Sequence, residues 1–234
     1  MVARPRPDVN GQLRPILAEL EKITRRGYDH WSVFDDWLEL ILTALMRNDP
    51  EYLKIMSRYR NNAEPGSREA DHFANAFGLL MQRMAETNSE LLGEIYEAWE
   101  ITNRHAGQFF TPWTVCQLMA QLTGPPAAGA SVNDPCSGSG RLLVATARIT
   151  PARDLDTITF VAQDIDRTCV VMTALNMTFF NLNAYIFEGN SLGLEIHRAY
   201  QTTRSSIGGS IREMPKEEIP QPVREPAQKE VISK

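Results

Sequence analysis

The chain has 234 residues, with 24 Lys and Arg against 29 Asp and Glu, a formal net charge of −5, and is 43% hydrophobic and 23% charged. This is a globular composition whose length fits one or two domains of about 100–150 residues, and its mild acidity argues against a protein that grips nucleic acid by bulk charge. The longest apolar run, around Trp37–Met46, carries Glu39 and falls short of the ~20 residues of a membrane span.

Cys116, Cys136 and Cys169 are odd in number and form no CxxC pair, which argues against a disulfide framework and a zinc site. His30, His72, His105 and His197 show no ligand spacing, so no metal is expected. Met1–Asp8 alternates Arg and Pro without an apolar signal region, so the expected location is cytoplasmic.

Residues 11 to about 100 read as helices. Leu13, Ile16, Leu17 and Leu20 recur at helical spacing, as do Phe34, Trp37, Leu38, Ile41 and Leu42. Asp49-Pro50-Glu51 predicts a capped third helix with proline in its first turn. Glu64-Pro65-Gly66-Ser67 separates it from a fourth carrying Phe73, Phe77, Leu80, Met81 and Met84, and a fifth spans Ser89 to about Glu100.

After residue 105 the pattern changes. Thr111-Pro112 opens a helix that Gly124-Pro125-Pro126 stops. A strand near Ser131–Asn133, a glycine-rich turn and a helix from Arg141 to about Ile149 follow, then a strand over Thr157–Gln163, a helix from Arg167 to about Asn181 and a strand near Tyr185–Glu188. Strand–helix–strand–helix–strand with such connections predicts a parallel α/β sheet. Ile211–Lys234, with four prolines and mixed charge, reads as a disordered or extended tail. The expected organisation is a helical N-terminal region over 1–104, a partial α/β domain over 105–210 and a tail over 211–234.

Asp134-Pro135-Cys136-Ser137-Gly138-Ser139-Gly140 sits between a predicted strand and a predicted helix. Its glycines let the backbone turn tightly and approach a ligand, and Asp134 can accept hydrogen bonds from an ammonium group. An ordinary structural turn is the alternative, and the dinucleotide fingerprint fails because its third glycine would fall at Leu143. Asp164 closes the next strand, where an acid can hold a ribose diol or cap a helix. Asn190 follows the third strand, where an amide can read an adenine edge or close a turn. All three lie at carboxyl ends of successive parallel strands, where open α/β sheets bind ligands.

These residues resemble the N6-adenine DNA methyltransferases, in particular the modification subunits of type I restriction systems. Gly107-Gln108-Phe109-Phe110-Thr111-Pro112 is similar to that family's G-x-[FY]-[FY]-T-P segment, and Asp134 to Gly140 with Leu142-Leu143 is similar to its D-P-x-x-G-S-G-x-[FL]-L motif. Gln163-Asp164, Asn176-Met177 and Gly189-Asn190-Ser191-Leu192 resemble further family segments, with Asn190 where Asp is usual. The resemblance covers about residues 100–192 and implies a partial Rossmann-like methyltransferase sheet of about three parallel strands that binds S-adenosylmethionine. Gln108, Phe109, Phe110, Thr111, Pro112 and Asp134 would surround the methionine portion, with one of the two phenylalanines in the core. Gly138, Ser139 and Gly140 would form the floor, Asp164 would take the ribose hydroxyls, and Asn190 would lie near the adenine.

The family's base-presenting tetrapeptide, [DNS]-P-P-[YFW], does not occur; the only Pro-Pro pair is Pro125-Pro126 between Gly124 and Ala127. No catalytic residue is therefore assigned. The expected protein binds the cofactor but is catalytically incomplete, acting as a regulatory or assembly subunit. Two alternatives stand beside it: an adenine-N6 methyltransferase completed by a partner chain or a non-standard element, and an interaction module without cofactor. A three-stranded half-sheet would leave its first strand at an open edge, so a homodimer or a protein partner covering that edge is expected. Seventeen acidic against thirteen basic residues precede Thr111, so DNA is expected only within a complex.

Overall fold

The structure, a computed structural model, describes residues 9–99 and 110–219. Its first helices form where the apolar periodicity runs. Helix α1 (Val9–Thr24) buries Leu13, Ile16, Leu20 and Ile23 along one face. Helix α2 (His30–Leu45) starts at Asp29, whose carboxylate accepts from the Ser32 amide at 3.0 Å, and buries Val33, Phe34, Trp37, Leu38, Ile41 and Leu42. Helix α3 (Asp49–Met56) carries Pro50 in its first turn, but its cap is Asn48 rather than Asp49. The Asn48 amide oxygen reaches the Glu51 N–H three residues on, as an N-cap must. Helices α4 (Glu69–Thr87) and α5 (Leu92–Ala98) complete this layer.

The second half alternates. Helix α6 (Trp113–Thr123), β1 (Ser131–Asp134), α7 (Arg141–Ile149), β2 (Thr159–Asp164), α8 (Arg167–Phe179) and β3 (Ala184–Glu188) follow in order. Strands β1, β2 and β3 are adjacent and parallel, with Val132 beside Phe160 and Ala162 beside Ile186. Helix α8 is buried on all sides from Thr168 to Thr178. It lies between the sheet and the N-terminal helices α2 and α5, so it has no polar outer face. Several of its polar side chains bond inward: Thr178 back-bonds to Ala174, and Thr173 and the Asn176 Nδ2 reach the glycine-rich loop.

To the three parallel strands expected, the sheet adds two more. β4 (Arg198–Thr203) pairs antiparallel with β3, and β5 (Ser210–Glu213) antiparallel with β4. Two readings of the sequence are corrected here. The segment after Leu192 is sheet, with Tyr200 and Thr202 facing α8 and Ala199 the opposite face. The tail expected from residue 211 begins as a strand, and Ile211, Met214 and Ile219 are buried. Prolines and charges masked a sparse apolar pattern whose burial depends on β3 and β4 being there to receive it. Arg204 fastens this extension through Asp156 at 2.7 Å and the Asn181 carbonyl at 3.0 Å. The rest of the expected tail, 220–234, lies outside the described residues. Among the described residues β1 has no strand on its other side, and no helix is long and apolar enough to cross a membrane.

Candidate functional site

The carboxyl ends of β1 and β2 place Asp134 and Asp164 on either side of the turn 135–140. The turn closes on itself, with the Gly140 amide donating to the Ser137 carbonyl at 2.8 Å, and the Ser137 amide donates to Gln163 at the end of β2. Gly138 has φ +54°, and a Cβ there would lie 2.9 Å from the Phe110 ring. Gly140, at φ +81°, starts α7. Both positions therefore favour glycine for its backbone freedom, and Gly138 also for lack of space.

Helix α8 holds the loop from below. The Thr173 hydroxyl donates to the Gly138 carbonyl at 2.8 Å, and the Asn176 amide donates to the Ser139 carbonyl at 2.7 Å. From the side, the Gly138 amide donates to the Asp164 carboxylate at 2.8 Å, while the other Asp164 oxygen accepts from the Asp166 amide at 3.0 Å. Asp164 is thus a structural acceptor as well as a strand-end acid, with lone pairs remaining on both oxygens.

The result is a cleft of about 350 Å³. Of the residues singled out from the sequence, Phe110, Thr111, Asp134, Gly138, Ser139 and Asp164 line it together. Pro112 and Gly140 are not among the lining residues; Pro112 precedes α6 and Gly140 precedes α7. Asn190 is not among the lining residues; its Oδ1 accepts from the Leu192 and Gly193 amides at 3.0 and 3.1 Å, the turn-forming alternative. Gln108, Phe109 and His105 lie outside the described residues.

Both cleft carboxylates are pushed above the usual carboxylate range by burial, partly offset by backbone hydrogen bonds from Cys136 to Asp134 and from Asp166 and Gly138 to Asp164. Neither has a cationic side chain within ion-pair distance among the described residues. Among the described residues Asp134 accepts only from the Cys136 amide, at 3.2 Å. The cleft therefore presents two half-buried carboxylates to a ligand and a floor of backbone close to a glycine. An ammonium group and a pair of hydroxyls match that donor set.

Sequence reasoning missed the residue that assembles the wall. Arg141, 4% exposed, donates to Glu90 at 2.8 Å, to Glu97 at 3.2 Å and to the Thr111 carbonyl at 3.3 Å, and its guanidinium lies 5.5 Å from the Phe110 ring centre. Glu90, fully buried, also accepts from the Gly93 amide at 2.6 Å and the Asn176 amide at 3.0 Å. Nearby, burial and the Glu90 and Glu97 carboxylates push Glu94 up to about 7. In the sequence Glu90 is one more acid ahead of a helix; the only signal was a charge beside the apolar Leu91-Leu92 pair.

Several arginines outside the cleft are engaged in ion pairs within the fold. Arg25 pairs with Glu21, Arg26 with Glu69, and Arg58 with Asp36. Arg198 pairs with Glu213 across β4 and β5 at 3.2 Å.

The model of the N-6 DNA methylase family matches residues 87–205, just over half of the chain. That range begins before Glu90 and runs through β4. Among solved structures, the chain is similar to the methyltransferase subunit of a type I restriction-modification system from Streptococcus thermophilus. Identity is 20%, coverage 76% of this chain and 39% of that one, and the TM-score 0.44. It is similar to a chain assigned as a type I restriction enzyme modification subunit from Vibrio vulnificus, at 14% identity, 81% and 58% coverage and TM-score 0.47. It is also similar to a chain assigned as a class I S-adenosylmethionine-dependent methyltransferase from Listeria monocytogenes, at 12% identity, 79% and 55% coverage and TM-score 0.47. The chain covers between 39% and 58% of the length of these structures. No curated protein matches the sequence.

Proposed function

The chain belongs to the N-6 DNA methylase family, and from that membership we propose that it binds S-adenosylmethionine as a regulatory or assembly subunit without completing methyl transfer itself. The observation that carries the cofactor is the cleft at the ends of β1 and β2, where Asp134 and Asp164 flank the Gly138–Gly140 turn with no cationic partner among the described residues. Asp134 would accept from the cofactor's ammonium group, and Asp164 would hold the ribose hydroxyls on the lone pairs that Gly138 and Asp166 leave. The Gly138–Gly140 backbone would form the floor. Phe110 and Thr111, with Gln108, Phe109 and Pro112, would enclose the methionine portion. Asn190, whose Oδ1 is engaged in its own turn, would offer the adenine its Nδ2. The bound cofactor supplies an electrophilic methyl group.

What speaks for incompleteness is the lack of a [DNS]-P-P-[YFW] element in these residues. The exocyclic nitrogen of adenine is a poor nucleophile, because its lone pair is delocalised into the ring. A polar side chain and a carbonyl must accept its hydrogens and aim it at the methyl group, while an aromatic ring holds the flipped base. A second reading, an adenine-N6 methyltransferase whose missing element comes from another chain, is favoured by the open edge of β1 beside the cleft.

Calorimetric titration of S-adenosylmethionine into the wild type, Asp134→Ala and Asp164→Ala tests the cofactor. Saturable heat with the wild type, weakened in both variants, is expected; no heat with the wild type ends both readings. A tritiated-methyl assay on mixed DNA separates them, since incorporation by the lone chain would refute catalytic incompleteness.

A further inference from the structure

Strand β1 is an edge. Among the described residues it pairs only with β2, and Ser131 and Asn133 are exposed. Its four residues include no lysine and no proline, two of the devices that keep edges from pairing with other chains. The Thr159 amide donates to the Ala130 carbonyl. Residues two apart in a parallel ladder bond to the same side, so Ala130, Val132 and Asp134 face β2. The backbone groups of Ser131 and Asn133 therefore point outward.

Helix α6, joined to this strand by the loop 124–130, carries an apolar face that is uncovered among the described residues. Helix α6 packs on α7 through Cys116 and Ala120 against Ala145. Its other side shows Val115 at 41%, Leu118 at 53%, Met119 at 43% and Leu122 at 78% exposure, spaced as one helical stripe. From Ala106 to Asn133 there is no Asp, Glu, Lys, Arg or His, in a chain that is 23% charged. A surface of this kind has no charge with which to select a charged partner, whereas it matches itself.

We propose that two copies of this chain associate through β1, the strands antiparallel about a two-fold axis at Val132. This takes up the assembly role proposed above, but needs no bound cofactor. In that register Ser131 of one copy faces Asn133 of the other, and the outward N–H and C=O groups of both residues pair. Val132 meets Val132, and Asp134 meets Ala130, so no carboxylate opposes another. Both α6 stripes then lie on the same face of the joined sheet, an isologous contact that closes on itself. The four stripe residues expose on the order of 400 Å² per copy, half of the ~800 Å² that a standard interface buries on each side; the strand edge and the uncharged loop 124–130 supply the remainder.

Analytical ultracentrifugation of the full chain, with and without S-adenosylmethionine, tests the proposal. A species of twice 26.4 kDa is expected in both. Asn133→Pro removes one outward N–H and leaves the bonds to β2 intact, and Leu118→Glu with Leu122→Glu charges the stripe. Each is expected to give a monomer with an unchanged far-ultraviolet spectrum. With Cys136→Ser in the background, Val132→Cys is expected to form a cross-chain disulfide on mild oxidation, because Cα atoms at a non-hydrogen-bonded antiparallel pair lie about 4.5 Å apart. A wild-type monomer at roughly 100 µM, or a dimer that neither set of changes disrupts, overturns it.

Discussion

Arg141 and Glu90 meet at 2.8 Å with 4% and 0% of their surfaces exposed. The pair ties the start of α7, where the glycine-rich loop ends, to the turn ahead of α5. Because the same guanidinium reaches the Thr111 carbonyl and covers the Phe110 ring, three segments distant in sequence are held around one cleft. A buried pair contributes little net stability when intact, but removing one partner strands a charge in low dielectric. Arg141→Leu is therefore expected to lower the unfolding free energy by about 3–5 kcal/mol, read by urea denaturation. Adding Glu90→Leu should recover part of that loss, and a double variant no better than the single one would show that Glu90 is not the stranded charge.

The floor of the cleft gives a cleaner comparison. Gly138→Ala meets the Phe110 ring at 2.9 Å and an unfavourable positive φ, whereas Gly27→Ala meets only the positive φ, with no atom within 4 Å. Left-handed backbone alone costs a non-glycine residue about 1–2 kcal/mol. Thermal melts should show Gly138→Ala as the more damaging change, and only it should weaken binding of S-adenosylmethionine.

Thr173 tests whether α8 positions the loop. Thr173→Val keeps the shape and removes the hydroxyl bonded to the Gly138 carbonyl at 2.8 Å and lying 3.3 Å from the Ser137 hydroxyl. A net hydrogen bond contributes about 1 kcal/mol, so calorimetry should report cofactor affinity roughly 5–10-fold lower. A melting temperature that falls while affinity stays the same would make Thr173 a packing residue only.

Glu94 adds a pH signature. Its pKa rises from 4.5 to about 7 on folding, first by burial and then by the Glu90 carboxylate. Between these values the folded state binds more protons than the unfolded state, so this group's contribution to stability falls as pH rises through that window. Glu94→Gln should match the wild type near pH 5 and be more stable near pH 8, measured by denaturant midpoints at both. Equal stability at pH 8 would remove Glu94 as a buried acid.

Much of the fold is local and could be read without coordinates. The apolar spacing of α2, the Thr-Pro start and Gly-Pro-Pro stop around α6, and the strand–glycine–helix order at β1 and α7 depend on neighbours within a few residues. So does the grouping of Asp134, Gly138 and Asp164, because parallel strands bring their carboxyl ends together. Asn190 was ambiguous for the same reason: one side chain can serve a turn or a ligand, and sequence does not say which way it points.

Tertiary structure alone decided the rest. Glu90 and Arg141 are 51 positions apart, and each by itself reads as a solvated charge at a helix start; only packing shows that they exclude water together. Strand β5 has too little apolar residue to announce itself, and exists because β4 leaves an edge for Ile211 to cover. Periodicity and capping act over a turn or two of chain and are written into it. The burial of a charge and the pairing of an edge depend on which distant segments meet.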